Sequence, residues 1–223
     1  MIRTVQETGS TNDDVAALAR EGAPEGMWLR AERQTGGKGR QGRAWESPRG
    51  NLHASTLVRL RPGDPPAPTL ALVAAVALHE AVRPHAPEVR IKWPNDLLVR
   101  GAKLAGILLE RHGDAVILGF GVNLAHHPDN LGRPATSLDP PAPPAVFLER
   151  LAACFQTGLD RWRADGFAPI RAAWLAAAHP PGTALTTSDA RGIFEGLDES
   201  GALRLRLEDG GLRIIHAGDV FLL

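Results

Sequence analysis

Apolar positions along this chain switch between helical and strand spacing several times. Val15, Leu18 and Ala19 follow the polar quartet Thr11-Asn12-Asp13-Asp14 at helical intervals, and the quartet offers capping oxygens and first-turn carboxylates. A short helix is predicted there. Met27 to Arg33 and Leu52 to Leu60 read as strands, with a long glycine-rich basic loop between them. After the proline-rich turn Pro62 to Pro68, the run Leu70 to Val82 is apolar nearly all round, with Thr69 in the capping position. That pattern predicts a central, buried helix.

Ile91 to Trp93, Leu97 to Val99, Lys103 to Glu110 and Ala115 to Leu124 are short apolar runs separated by turns at Pro94-Asn95, Gly101 and Gly113, which predicts a meander and not a repeated strand-helix-strand unit. Beyond the rigid connector Pro140 to Pro144, the spacing predicts helices over Val146 to Trp162 and Pro169 to Ala178. Thr183 to Thr187, Gly192 to Leu197, Ala202 to Leu207 and Leu212 to His216 then alternate as strands joined by Asp/Glu-Ser-Gly and Asp-Gly-Gly turns, the pattern of a small β-barrel. So short a segment makes a meagre core, so it is expected to pack on the larger unit. The division predicted is 1–179 and 180–223, in an α+β chain with a mixed sheet.

Composition removes several classes of protein. With 43% hydrophobic and 22% charged residues the chain should fold, and with one Cys it has no disulfides. The start of the chain has no apolar stretch of the signal-peptide kind, and the longest apolar run is too short to cross a bilayer, so a reducing cytoplasm is the expected compartment and no membrane partner is expected. Formal net charge is 0, but that is an average over unlike parts. Residues 26–50 hold six Lys/Arg against two Glu, a net of +4, while 181–223 hold seven acids against four arginines, a net of −3. The basic window is the anion candidate, and the acidic tail reads as doing a different job.

Within that window, Gln34 to Trp45 places glycines at 36, 37, 39 and 42 among Lys38, Arg40 and Arg43, so that backbone amides and cationic side chains can wrap a phosphate. Neither standard glycine-rich nucleotide motif fits, and a flexible, solubilising surface loop explains the composition as well. Lys92-Trp93-Pro94-Asn95-Asp96 is either a turn that aims polar groups or an ordinary Pro-Asn-Asp turn. Lys103 opens the apolar strand Leu104 to Leu109. Its ammonium either sits at a low-dielectric cleft, with Gly106 letting a ligand lie close, or protects an exposed edge strand. Ser10-Thr11-Asn12 either binds a polar head or merely caps the helix, and Gly119 to Asn123 either presents Asn123 to a nucleotide or packs as a strand end. Cys154 reads as a buried structural thiol, and no Cys/His spacing suggests a metal site. What remains is electrostatic activation of a bound anion.

Taken together and in order, Ser10-Thr11-Asn12, Gln34 to Arg43 with Trp45, Lys92 to Asp96, Lys103 to Glu110, Gly119 to Asn123 and the tail with Gly196 to Leu203 resemble the bacterial biotin protein ligases over nearly the whole chain. The resemblance implies a catalytic domain like that of class II aminoacyl-tRNA synthetases and biotin/lipoate ligases, followed by an SH3-like barrel. It implies activation of biotin by ATP, with Mg2+ accompanying the nucleotide, to biotinyl-5′-AMP, and transfer to a lysine of a biotin carboxyl carrier domain. Ser10, Thr11 and Gln34 would hold the ureido head, with Asn12 beside them. Lys38, Gly39, Arg40 and Arg43 would fold over biotin and phosphate, and Trp45, Asp96 and Asn123 would line the nucleotide side. Lys103 would meet the carboxylate or acyl phosphate beside Gly106, with Lys103 and Arg40 the principal catalytic groups. The family loop often carries Arg where this chain has Lys38, which trades a planar fork for a point charge.

Some members carry an N-terminal helix-turn-helix domain. Only nine residues precede Ser10, so no DNA partner is expected. A sheet edge is expected to receive the carrier domain or a second copy of the chain. Two rivals stand against this reading: a lipoate ligase, whose usual R-R-x-S-G-G-G pattern is absent, and a nucleic-acid binder, disfavoured by the neutral total and acidic tail.

Overall fold

A computed structural model describes residues 1–129 and 132–222. Seven strands, β1 (Ile2–Thr8), β2 (Trp28–Gln34), β3 (Leu52–Arg59), β4 (Arg90–Lys92), β5 (Asp96–Val99), β6 (Ala102–His112) and β7 (Ala115–Val122), form one mixed sheet in the order β1-β2-β3-β7-β6-β5-β4. The run β4 to β7 is the anticipated meander. At the other edge the chain does make one strand-helix-strand crossover: α1 (Thr11–Arg20) joins β1 to β2, which pair in parallel. β6 lies inside the sheet, between β5 and β7, so Lys103 does not protect an exposed edge.

Helices α2 (Leu70–Val82), α3 (Pro144–Asp165) and α4 (Ala168–Ala177) cover one face. Trp28, Phe120 and Phe155 form an aromatic cluster there, with ring centroids 5.4–6.0 Å apart, joining α3 to the sheet. Thr69 makes no side-chain cap for α2. Its hydroxyl instead accepts from the buried Trp162 Nε1 at 2.8 Å and donates to the Pro66 carbonyl, because a 3₁₀ turn (Ala67–Thr69) already leads into the helix. Cys154 is half-buried on α3, less enclosed than its apolar neighbours suggested.

The opposite face is covered only in part. α1 seats Val15 and Ala19 on Leu29, Leu57, Ala115 and Ile117. Because side chains alternate along a strand, the next two positions of β7 on this face are Gly119 and Gly121, past the start of α1. The sheet is therefore bare there, and the site is built on it.

Residues 183–222 form an antiparallel sheet from β8 (Ala184–Thr186), β9 (Arg191–Leu197), β10 (Leu203–Leu207), β11 (Leu212–Ile215) and β12 (Phe221–Leu222), in the order β11-β10-β9-β8-β12. The closing strand β12 was not foreseen. As expected from its size, this unit shares the main core: Leu185, Phe194, Leu203 and Val220 pack with Trp174 and Ile91. Trp93 Nε1 donates to the Gly201 carbonyl at 3.1 Å, and Arg171 Nε to that of Asp198 at 2.7 Å.

One partly buried ion cluster ties α3 to the end of β3. Arg163 grips both oxygens of Glu25 at 2.7 and 2.8 Å, Arg61 adds a contact at 2.7 Å, and the Arg59 amide donates to the same carboxylate. The hydrogen bond from Arg163, against an opposing effect of burial, lowers the Glu25 carboxyl to about 2. A carboxyl that is lowered in the folded state stabilises it fully above the unfolded value, and that contribution disappears as pH falls through the folded one. Stability should therefore decline between about pH 4.5 and 2. In Glu25→Gln the acid slope of the urea midpoint over that window should flatten, and an unchanged slope would show that this pairing is not what fails in acid.

Candidate active site

The bare face of β7 forms the floor of a cleft walled by the start of α1, the 35–46 loop and the 92–96 turn. Glycine is required on the floor. A Cβ on Gly119 would lie 2.3 Å from Asn12 Oδ1, and one on Gly121 would lie 2.4 Å from the Trp45 ring, so the Asn12 amide and the Trp45 indole both rest against naked backbone. Ser10, Thr11 and Asn12 are at most 4% exposed, and Ser10, in the capping position, makes no side-chain cap. Thr11 and Asn12 turn their polar groups into a network instead. The Thr11 amide donates to Gln34 Oε1 at 2.8 Å, and Thr11 Oγ1 lies 2.7 Å from Ser55 Oγ. Ser55 donates to Asn12 Oδ1 at 2.6 Å, and Asn12 Nδ2 donates to Glu110 at 2.7 Å.

Backbone hydrogen bonds fold the basic segment back on itself. Gly39 N bonds to the Arg43 carbonyl at 2.7 Å and Trp45 N to that of Gly37 at 2.9 Å, around a 3₁₀ turn (Arg40–Gly42). Gln41 there has a φ of 57°, a left-handed conformation uncommon outside glycine. Its cations already have partners. Lys38 Nζ reaches both oxygens of Asp13 at 2.8 and 2.6 Å, and that hydrogen bond raises the ammonium. Arg40 donates to Asn95 Oδ1 at 3.2 Å and to the Gly218 carbonyl at 3.1 Å, and Arg43 pairs with Asp219 at 2.9 Å. The acidic tail is thus not electrostatically separate from the basic window, because its last acid meets the loop at the cleft mouth. Sequence reasoning missed that contact, and no signal local to Asp219 announces it.

Lys103 lies behind Trp45, with Nζ 5.5 Å from the indole centroid and in an ion pair with Asp96. Lys92 holds the other Asp96 oxygen at 3.1 Å and donates to the Val220 carbonyl at 2.8 Å. Burial raises the Asp96 carboxyl, but Lys103 and Lys92 outweigh it and hold it below its ordinary value. Burial lowers the Lys103 ammonium, opposed by Asp96 and reinforced by Arg133 and Lys92. A cation kept in a low-dielectric wall acts strongly on charge that develops beside it. Gly106 provides its space: a Cβ there would lie 3.2 Å from Nζ.

Twelve of the thirteen residues expected at the site line this cleft: Ser10, Thr11, Asn12, Gln34, Lys38, Gly39, Arg40, Arg43, Trp45, Asp96, Lys103 and Gly106. Asn123 does not. It borders a second cavity, which shares Trp45 with the first, and there its Nδ2 donates to the Thr136 and Lys103 carbonyls. Trp45, Lys103, Arg43 and Arg133 line both cavities. Ser55, Glu110, Asn95 and Arg133 are additional to the sequence reading. Glu110 and Asn95 fall inside runs already singled out, whereas nothing local marks Ser55 or Arg133. No helix among the described residues is long and apolar enough to cross a membrane.

The glycine-cleared sheet face, the two cavities sharing Lys103 and the C-terminal sheet reaching the cleft mouth through Asp219 are the features to set against known proteins. The Biotin/lipoate A/B protein ligase family matches residues 8–123, and the Biotin protein ligase C terminal domain matches residues 183–223. The chain is 41% identical to a biotin--[acetyl-CoA-carboxylase] ligase of Paracoccus denitrificans, over 96% of this chain and 97% of that one. It is 36% identical to that of Mycobacterium tuberculosis, over 97% and 86%. The biotin protein ligase from Aquifex aeolicus in complex with biotin and ATP superposes with a TM-score of 0.86 at 25% identity, covering 100% of this chain and 98% of that one. The chain belongs to the biotin/lipoate A/B protein ligase family, and within it to the biotin protein ligases.

Proposed function

We propose that the protein joins biotin to a carrier-domain lysine in two steps, with 1–179 as the catalytic unit and 180–223 as its barrel. In the first, a biotin carboxylate oxygen attacks the α-phosphorus of MgATP, the bond to the β-phosphate oxygen breaks, and biotinyl-5′-AMP and pyrophosphate form. In the second, the lysine amine attacks the acyl carbon, AMP leaves, the amine loses a proton, and an amide remains. The observation that carries this reading is that Lys103 and Trp45 border both cavities, so an acid in one and a nucleotide in the other meet at the buried ammonium. Thr11, Gln34 and Asn12 supply the hydrogen-bonding end for a ureido head. Arg40 and Arg43 exchange their tail partners for phosphate oxygens, and loop closure shields the anhydride from water. Both Asp96 oxygens face lysines, so Mg2+ travels on the ATP phosphates as part of that substrate.

The acceptor is a biotin carboxyl carrier domain, docking beside the cleft where the exposed edge strand β1 ends. A second copy of the chain pairing on that edge would compete with it. The reaction is expected in the cytoplasm. ATP–pyrophosphate exchange with biotin, lipoate or octanoate, followed by mass measurement of a supplied carrier domain, tests the reading. Exchange should require biotin and the carrier should gain one biotinyl group, whereas folded protein with no biotin-dependent exchange refutes it.

A further inference from the structure

The polar chain under the loop has a direction as well as a geometry. Glu110, on β6, is a carboxylate and only accepts, so Asn12 must turn Nδ2 toward it, at 2.7 Å, and Oδ1 toward Ser55. Ser55 is fully buried and has one hydroxyl hydrogen, which goes to Asn12 Oδ1 at 2.6 Å. At its 2.7 Å contact with Thr11, therefore, Ser55 accepts and Thr11 donates. At the opposite end the Trp45 carbonyl also only accepts. Ser47 donates to it at 3.1 Å and takes a hydrogen from Gln34 Nε2 at 2.9 Å, which turns Gln34 Oε1 toward Thr11. Gln34 Oε1 accepts the Thr11 amide at 2.8 Å and keeps one lone pair; Thr11 Oγ1 lies 3.0 Å from it and could donate there, but its single hydrogen is taken by the shorter contact with Ser55, which has no hydrogen of its own left to give. Two acceptor-only anchors thus leave a pair of acceptor oxygens side by side at the cleft wall.

We infer that Glu110 is a positioning residue for the acid substrate: through Asn12 and Ser55 it orients Thr11 so that Thr11 and Gln34 receive an N–H of the bound head group. This rests on the reading that the head is the ureido ring of biotin. Glu110 itself need not touch the ligand. Without its acceptor the Asn12 amide is free to turn over, its NH2 then donates to Ser55, Ser55 donates to Thr11, and Thr11 donates to Gln34 Oε1. Gln34 Oε1, which already holds the Thr11 amide, then takes the Thr11 hydroxyl on its remaining lone pair, and an incoming N–H loses that partner. The amide can turn in place, because the bare backbone of Gly119 lies beside it.

The test compares Glu110→Leu, which removes the acceptor, with Glu110→Gln, which keeps an acceptor oxygen at the same reach. Biotin titration calorimetry and steady-state pyrophosphate exchange are run on the full chain. Glu110→Leu should weaken biotin binding and raise its KM about tenfold or more, with kcat at saturating biotin and the KM for ATP unchanged, while Glu110→Gln stays within about threefold of wild type. Three outcomes overturn the inference: a Leu variant that binds biotin normally, a Gln variant as weak as Leu, or a KM for ATP that rises in step with that for biotin, which marks general disruption of the fold. Wild-type protein that binds no biotin removes the functional reading and the inference with it.

Discussion

Lys103→Ala should reduce biotin-dependent pyrophosphate exchange by about 10²–10³-fold, the range lost when one oriented donor is removed from a water-poor site. Among the described residues Lys103 is the one ammonium bordering both cavities, and the low-dielectric wall around it magnifies its interaction with charge forming on the acyl phosphate. The loss should appear in kcat as well as in kcat/KM, since the charge it offsets grows during the reaction. Lys103→Arg keeps the charge, but its planar fork has to fit between Gly106 and the Trp45 ring, so partial activity is expected. The substitution also leaves Asp96, 6% exposed, with Lys92 as its remaining ion-pair partner. A thermal melt of each variant therefore accompanies the kinetics, together with a transfer assay on preformed biotinyl-5′-AMP. If Ala and Arg both retain wild-type rates in both assays, the electrostatic role of Lys103 is wrong.

Gly121→Ala, the addition of a single methyl group, should cost about 10²-fold in exchange activity, because misplacement of about 1 Å at a reacting centre has an effect of that size. The new carbon would lie 2.4, 2.6 and 2.7 Å from three atoms of the Trp45 indole. The backbone of β7 cannot yield, since β3 and β6 pair with it on both sides. The indole must move instead, taking with it the partition between the cavities and the ring that faces Lys103. Trp45 is only half-buried and sits on a loop, so the melting temperature should change far less than the rate. A double-mutant cycle with Trp45→Ala identifies the route. If Gly121 acts through Trp45, the two losses will be strongly non-additive, whereas additive losses would mean that the methyl group damages the sheet itself.

Much of the fold can be read locally because each element carries its own periodicity. The α2 run is apolar nearly all round and is buried nearly all round, with Glu80 exposed near its end, and the β4 to β7 turns fall where Pro94-Asn95, Gly101 and Gly113 stand. Elements whose formation depends on a distant partner are harder to read. β12 is two residues long and exists because β8 lies beside it, and the partner of the Thr69 hydroxyl, Trp162, arrives from α3. The site divides in the same way. Residues within short runs, from Ser10 to Asn12 and from Gln34 to Trp45, are visible as motifs and do line the cleft. Ser55, a small polar residue inside β3, acquires meaning only once Asn12 and Thr11 are laid across it.

By itself the sequence determined the class of fold, the cationic loop, the buried lysine candidate and the family resemblance, all of which depend on residue type at short spacing. Only the tertiary structure decided between the open alternatives. It turned Thr11 and Asn12 from helix caps into a directed hydrogen-bond chain and moved Lys103 from a supposed edge to the wall between two cavities. It also joined the acidic tail to the basic loop through Asp219, 176 positions beyond Arg43. The physical reason is the same in each case. Periodicity and charge count are properties of neighbours along the chain, whereas the direction of a hydrogen bond, the dielectric around an ammonium and the partner of a carboxylate are set by whatever the sheet brings against them.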